Sequence, residues 1–433
     1  MQRILMFDLT PPLALPMRFF LTVPAFALLA AGLLLWQGEA ALATRWSPVT
    51  LALTHLLTLG CLCMAMIGAL LQILPVMAGI AVAGGTRVGR ALHGALCAGT
   101  LLLAAAFLAG MPLLFAPAML LLGGAFLLLI GCCTVGLWQQ FPSGADASLT
   151  AIRLALAALA VTVVLGLLLA AANAWPGRFT LPLARVTDLH AMWGLFGWTG
   201  LLVIGVAFQV VPMFLVTECY PRWLTGSFAT ALFLLLVTAS LPVAAFRLAG
   251  LVLLGAGYAA FACATLFLLA RRKRPAPDAP TLFWHTAMAS LLAALATGAL
   301  PSSPAMDLLR GVLLVAGFAL STINGMLYKI VPFLARYHAR HATPAPAAPL
   351  PAIHRIIPDA RARFQYLLHL AALALLAGAC GWPALLARPA AVALAVSCIA
   401  WWLNLVAGLR ACGPGAGRAA NPSSFTLAPG APS

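Results

Sequence analysis

Two histidines, His55 and His190, are the residues of this 433-residue chain best suited by type and spacing to hold a metal or a haem. Each stands about one membrane width before a repeated phrase. The phrase reads Gly68-Ala-Leu-Leu-Gln72-Ile-Leu-Pro75, then Gly205-Val-Ala-Phe-Gln209-Val-Val-Pro212, then Gly325-Met-Leu-Tyr-Lys329-Ile-Val-Pro332. His55 precedes Pro75 by twenty residues and His190 precedes Pro212 by twenty-two. The third copy has no histidine there; Arg310 stands at nearly that place. A phrase repeated at 137 and 120 residues marks three similar structural units. Neutral imidazole is the commonest metal ligand. Ionisable groups in lipid-embedded helices are costly and usually functional. Two histidines at one repeat position therefore point to ligation. Helix capping or contact with headgroup water is the alternative.

Membrane helices must position them. The chain is 64% hydrophobic and 7% charged, with mean hydropathy +1.07. A water-soluble chain carries about 25% charged residues. Apolar runs of about 20 residues span a bilayer, and they occur near 17–37, 50–80, 92–111, 113–137, 150–172, 188–216, 224–243, 248–270, 281–300, 308–334, 364–386 and 390–410. The expected fold is an all-α polytopic membrane protein of about twelve transmembrane helices. Runs 2, 6 and 10 carry the phrases, giving units of four helices over roughly 1–145, 146–275 and 276–412. A loop at 335–363 and a Gly/Pro/Ser/Ala-rich tail at 413–433, expected to be disordered, complete the chain.

The formal charge of +16 does not imply nucleic acid. With the N-terminus inside, seventeen Arg and Lys fall on one set of connections and six on the other. That bias predicts cytoplasmic termini and leaves the bilayer as the partner that the basic residues meet. His55 and His190 then lie near the outer ends of helices 2 and 6. The ten cysteines, mostly within apolar runs, read as small hydrophobes and not as a disulfide framework. In the phrases, each Pro frees a carbonyl one turn earlier. Gln72, Gln209 and Lys329 are expected to satisfy such carbonyls on neighbouring helices, and Gly68, Gly205 and Gly325 to allow close approach.

Twelve helices in three arcs, together with Thr54-His55-Leu-Leu-Thr-Leu-Gly60 followed by Gly68-x3-Gln72-x2-Pro75, resemble subunit I of the haem-copper oxidases. NnrS-type haem- and copper-containing membrane proteins are a second similar group. The resemblance implies a multi-pass protein of a bacterial-type inner membrane, with a respiratory-chain partner or self-association. It matches His55 to an axial ligand of haem b and His190 to a copper-binding histidine, so copper is a second candidate metal. It makes Arg310 and Arg388 candidate partners for haem propionates, with orientation anchoring as the alternative. Trp193, Phe196 and Trp198 could line a macrocycle; an interfacial aromatic belt is the alternative for the two tryptophans. The oxidases also need paired histidines on helix 7 and on helix 10, and this chain has none at 224–243 or 308–334. The implied function is haem binding without the oxygen-reducing centre: electron transfer, haem or copper handling, or a nitric oxide response. A small-solute transporter and a non-catalytic respiratory partner are the competing readings. His93, His285 and His369 are expected near cytoplasmic helix ends.

Overall fold

The computed structural model describes residues 7–79, 84–139, 146–274, 276–342 and 351–412. They form an all-α membrane protein. Eleven helices are long and apolar enough to cross a bilayer: α1 (Ala14–Leu42), α2 (Pro48–Val76), α3 (Gly85–Ala109), α4 (Pro112–Leu137), α5 (Ala147–Ala174), α6 (Leu183–Leu215), α8 (Ala244–Ala270), α9 (Ala279–Thr297), α10 (Pro304–His341), α11 (Asp359–Ala379) and α12 (Pro383–Arg410). Between α6 and α8 lies a shorter apolar helix, α7 (Phe228–Ser240). Its 13 residues rise only about 20 Å. The expected tail at 413–433 lies outside the described residues. The expected loop at 335–363 begins later, because α10 continues through Arg336 and Arg340 to His341.

Packing makes a closed ring. Helices α1, α3, α4, α5, α7, α8, α9, α11 and α12 follow one another around the molecule, with α12 against α1. They surround α2, α6 and α10, the three helices that carry the phrase. Local sequence sets where these begin: Ser47 caps α2 and Ser303 caps α10, each followed by a proline in the first turn.

Glycines join the first helix of each unit to the second. A Cβ on Gly68 would stand 2.8 Å from Phe19 of α1, on Gly205 2.8 Å from Ala151 of α5, and on Gly325 2.8 Å from Phe283 of α9. Close approach through the phrase glycines is therefore as expected. A second set, Gly60, Gly197 and Gly317, lies fifteen residues before each proline and meets Phe26, Ala158 and Ser290 on the same three helices.

The core helices share a further irregularity. Each contains a π-helical segment: Thr58–Cys63 in α2, Trp193–Gly200 in α6 and Leu313–Leu320 in α10. All three end twelve residues before Pro75, Pro212 and Pro332, and all three begin three residues after His55, His190 and Arg310. The first segment has six residues and the others eight, which accounts for the twenty- and twenty-two-residue spacings. Arg310 is thus the repeat equivalent of the two histidines. π segments are rare and often mark functional sites.

The polar residues of the phrase do not form the expected ring. Lys329 donates to Asp278 Oδ2 at 2.6 Å instead of to a carbonyl, and the buried Gln72 Oε1 has no partner. Asp278 caps α9 and also accepts from Arg272 and Thr281. Burial raises the Asp278 pKa, but Lys329, Thr281 and Arg272 outweigh it and hold the carboxyl at about 2, below its ordinary 3.8. A depressed carboxyl stabilises the fold above its unfolded pKa and loses that contribution as pH falls through the folded one. The shift corresponds to about 2 kcal/mol. The melting temperature in detergent should therefore fall as pH drops from 5 toward 2.5, and Asp278→Asn should flatten that dependence. An equally steep fall in Asp278→Asn would contradict this assignment.

Candidate functional site

His55 and His190 come together between α2 and α6. Their ring centroids are 6.3 Å apart and their planes differ by 21°. Phe107 of α3 lies almost parallel to His55 at 5.4 Å. His55 Nδ1 lies 2.7 Å from the Leu51 carbonyl and His190 Nδ1 lies 3.0 Å from the Thr162 carbonyl. A carbonyl only accepts, so both Nδ1 atoms must carry the proton. Each neutral ring then keeps its lone pair on Nε2, the tautomer a metal ligand needs. Both histidines are placed before the π segments of their helices, where the shared repeat geometry brings them into register.

The pair borders a cavity of about 1040 Å³. Ligand pockets run to roughly 1,000 Å³, so this one has room for a large group. Its walls are mostly Leu, Val, Ala and aromatic residues from all three units, among them Phe126, Phe196 and Leu394. Trp198, which also lines the cavity, is 2% exposed, and its indole N–H, beside Cys63, has no aligned acceptor. A buried donor without a partner costs free energy unless a ligand satisfies it. Trp193 does not line the cavity: it is buried against Phe233 and donates to Ser240. Neither tryptophan forms an interfacial belt.

Charged residues close the histidine end. Arg45 reaches Asp188 at 2.7 Å and Asp307 at 3.5 Å, and Arg310 reaches Asp307 at 3.1 Å. This chain of ion pairs ties the connection after α1 to α6 and α10, one contribution from each unit. Arg310 borders the cavity, and its guanidinium also donates to the Thr297 and Leu300 carbonyls. Arg388 is not part of the site. It lies within α12, not in the preceding loop, and is exposed with its guanidinium beside Gly38. Arg45, Arg185 and Arg247 border the cavity in its stead. Arg45 lies in the turn before α2 and Arg185 and Arg247 in the first turns of α6 and α8, positions that do not recur among the three phrases.

The other histidines are engaged elsewhere. His93 pairs with Thr22, and His285 with the Thr281 carbonyl. His369 is not near a helix end as expected: it is buried midway along α11 and 2.7 Å from Ser321 of α10. Among the described residues no group of three or more His, Cys, Asp or Glu is arranged around a common metal position.

Gly166 of α5 sits against the site. A Cβ there would lie 2.9 Å from His190 Cε1 and 3.4 Å from Nδ1. Gly166→Ala should displace the His190 ring. The shift of its imidazole NMR signals measures it; unchanged signals would show that the ring tolerates the methyl. No family model and no curated protein matches this chain.

Proposed function

We propose that this protein holds one haem b between His55 and His190 and serves in membrane electron transfer or haem handling. The observation that carries the reading is the paired imidazoles, both with Nδ1 committed and Nε2 free, in a large apolar cavity. The two ring centroids stand 6.3 Å apart, and both rings border the same cavity, so both could hold one iron placed there.

The donor count favours haem over a bare ion. A tetrahedral zinc site takes three or four protein ligands, and two imidazoles leave zinc or copper short. A macrocycle brings four nitrogens and asks the protein only for axial ligands. Bound between two histidines, the iron would exchange single electrons. The chain's own residues fix the imidazole tautomers through Leu51 and Thr162, and exclude water with Leu and Phe walls to which Trp198 also contributes.

With both axial positions taken, reduced protein should show no Soret shift under carbon monoxide. His190→Ala that retains haem should gain one. A full carbon monoxide shift in the wild type would mean that one histidine does not ligate. Oxygen reduction is not expected, because α7 carries no histidine and those of α10, His338 and His341, lie 28 and 31 residues along the helix from Arg310 and do not border the cavity. An oxygen electrode with cytochrome c or quinol as donor should read no turnover; steady consumption abolished by His190→Ala would contradict the reading.

A further inference from the structure

The cavity has a side opening as well as a charged end. Gly250 of α8 packs on the backbone of Ala239, where a Cβ would stand 2.5 Å from the amide nitrogen. The last residues of the short α7 are therefore level with the second turn of α8. Above that level the first turns of α8 have no α7 beside them. Arg247 in the uncovered first turn, Leu251 one turn further on beside Gly250, and Ala170 and Asn173 of α5 border the cavity at this edge. Leu251 is also 46% exposed, among the lipid-facing Phe246, Leu248 and Val252. A side chain that belongs to both the cavity wall and the apolar outer surface marks where the two communicate.

The edge of this opening is cationic. Arg45 and Arg310 are matched by Asp188 and Asp307. Arg185 has only the Ser240 and Leu241 carbonyls, and Arg247 has no carboxylate within ion-pair distance among the described residues. Both flank the short turn between α7 and α8. Two uncompensated guanidiniums beside an apolar cavity suit a ligand with a flat apolar body and carboxylates at one edge, since Arg pairs with carboxylate in fork geometry.

We infer that the cavity is loaded sideways from the bilayer, through the opening between α5 and α8, by a porphyrin-type dicarboxylate whose acid groups are received by Arg185 and Arg247. The inference deepens the haem reading, yet entry depends on the carboxylates and not on iron. The test therefore uses metal-free protoporphyrin IX and its dimethyl ester. Uptake from liposomes into protein in nanodiscs is followed by porphyrin fluorescence.

Wild type should take up the free acid roughly tenfold faster than the ester, and added salt should narrow the gap. Arg247→Gln should erase it. Leu251→Trp, a lipid-facing change that narrows the opening, should slow both compounds. Arg388→Gln, which is exposed and off the cavity, should change neither. Equal rates for acid and ester in wild type, or an unaltered preference in Arg247→Gln, would overturn the inference, as would no porphyrin uptake at all. Failure of the histidine site reads out separately: haemin would then bind no more tightly than the metal-free porphyrin.

Discussion

His55→Ala should leave purified protein with less than about a tenth of the wild-type haem, and His190→Ala should do the same. A bis-imidazole site has no spare ligand, and no third His, Cys, Asp or Glu joins the pair among the described residues. Losing one axial bond removes the contact that orients the other ring as well as its own share of affinity. The loss should exceed the 10- to 100-fold that supporting residues contribute. Pyridine haemochrome per mole of protein measures it, and a melting curve confirms that the fold survives. His93→Ala, remote and paired with Thr22, should retain full haem. Wild-type haem content in both site variants would place the cofactor, or the function, elsewhere.

The second large effect is on folding. Gly60→Leu should abolish folded yield. A Cβ at this position would lie 2.2 Å from Phe26 Cδ1 and 2.7 Å from its Cβ, so the whole Phe26 side chain would have to move. Phe26 is only 4% exposed, and close-packed interiors have no room to receive it. Overpacking typically costs about 1–3 kcal/mol, and a clash at the base of a ring falls at or above the top of that range. Gly197→Leu and Gly317→Leu, which meet Ala158 and Ser290 at 2.7 and 2.6 Å, should behave alike. Gly131→Leu, where no atom lies within 4 Å, should be neutral. Monodispersity and melting temperature in detergent decide it. Retention of a wild-type melting temperature in Gly60→Leu would show that α1 and α2 are not locked at this point.

Much of this was legible in the residues. Composition and run length pointed to the all-α membrane fold, and the phrase marked the three helices whose glycines Gly68, Gly205 and Gly325 pack closely on α1, α5 and α9. The same alignment on Pro75, Pro212 and Pro332 also exposes Gly60, Gly197 and Gly317, a signal that was present and unread. The mismatch of twenty against twenty-two residues was likewise a clue to helices of unequal winding. Its cause, π segments of six and eight residues, depends on tertiary packing and leaves no fixed residue pattern. Repeat equivalence put His55 and His190 at matching places on α2 and α6, but that their rings lie 6.3 Å apart comes from the structure. So do their carbonyl partners, since Thr162 lies on α5, a different helix from His190. Arg45 pairs with Asp188 across 143 residues, and Lys329 with Asp278 across 51, distances at which sequence carries no pairing rule. Arg388 was misplaced because α12 begins at Pro383, where a proline suits the first turn of a helix as well as the end of a loop.

The most direct test is the absorption spectrum of wild-type protein purified from haem-replete cells, oxidised and then reduced with dithionite. The account predicts a Soret band with sharp α and β bands on reduction, and one haem b per chain by pyridine haemochrome. A colourless protein, with a blank haemochrome assay, would contradict it.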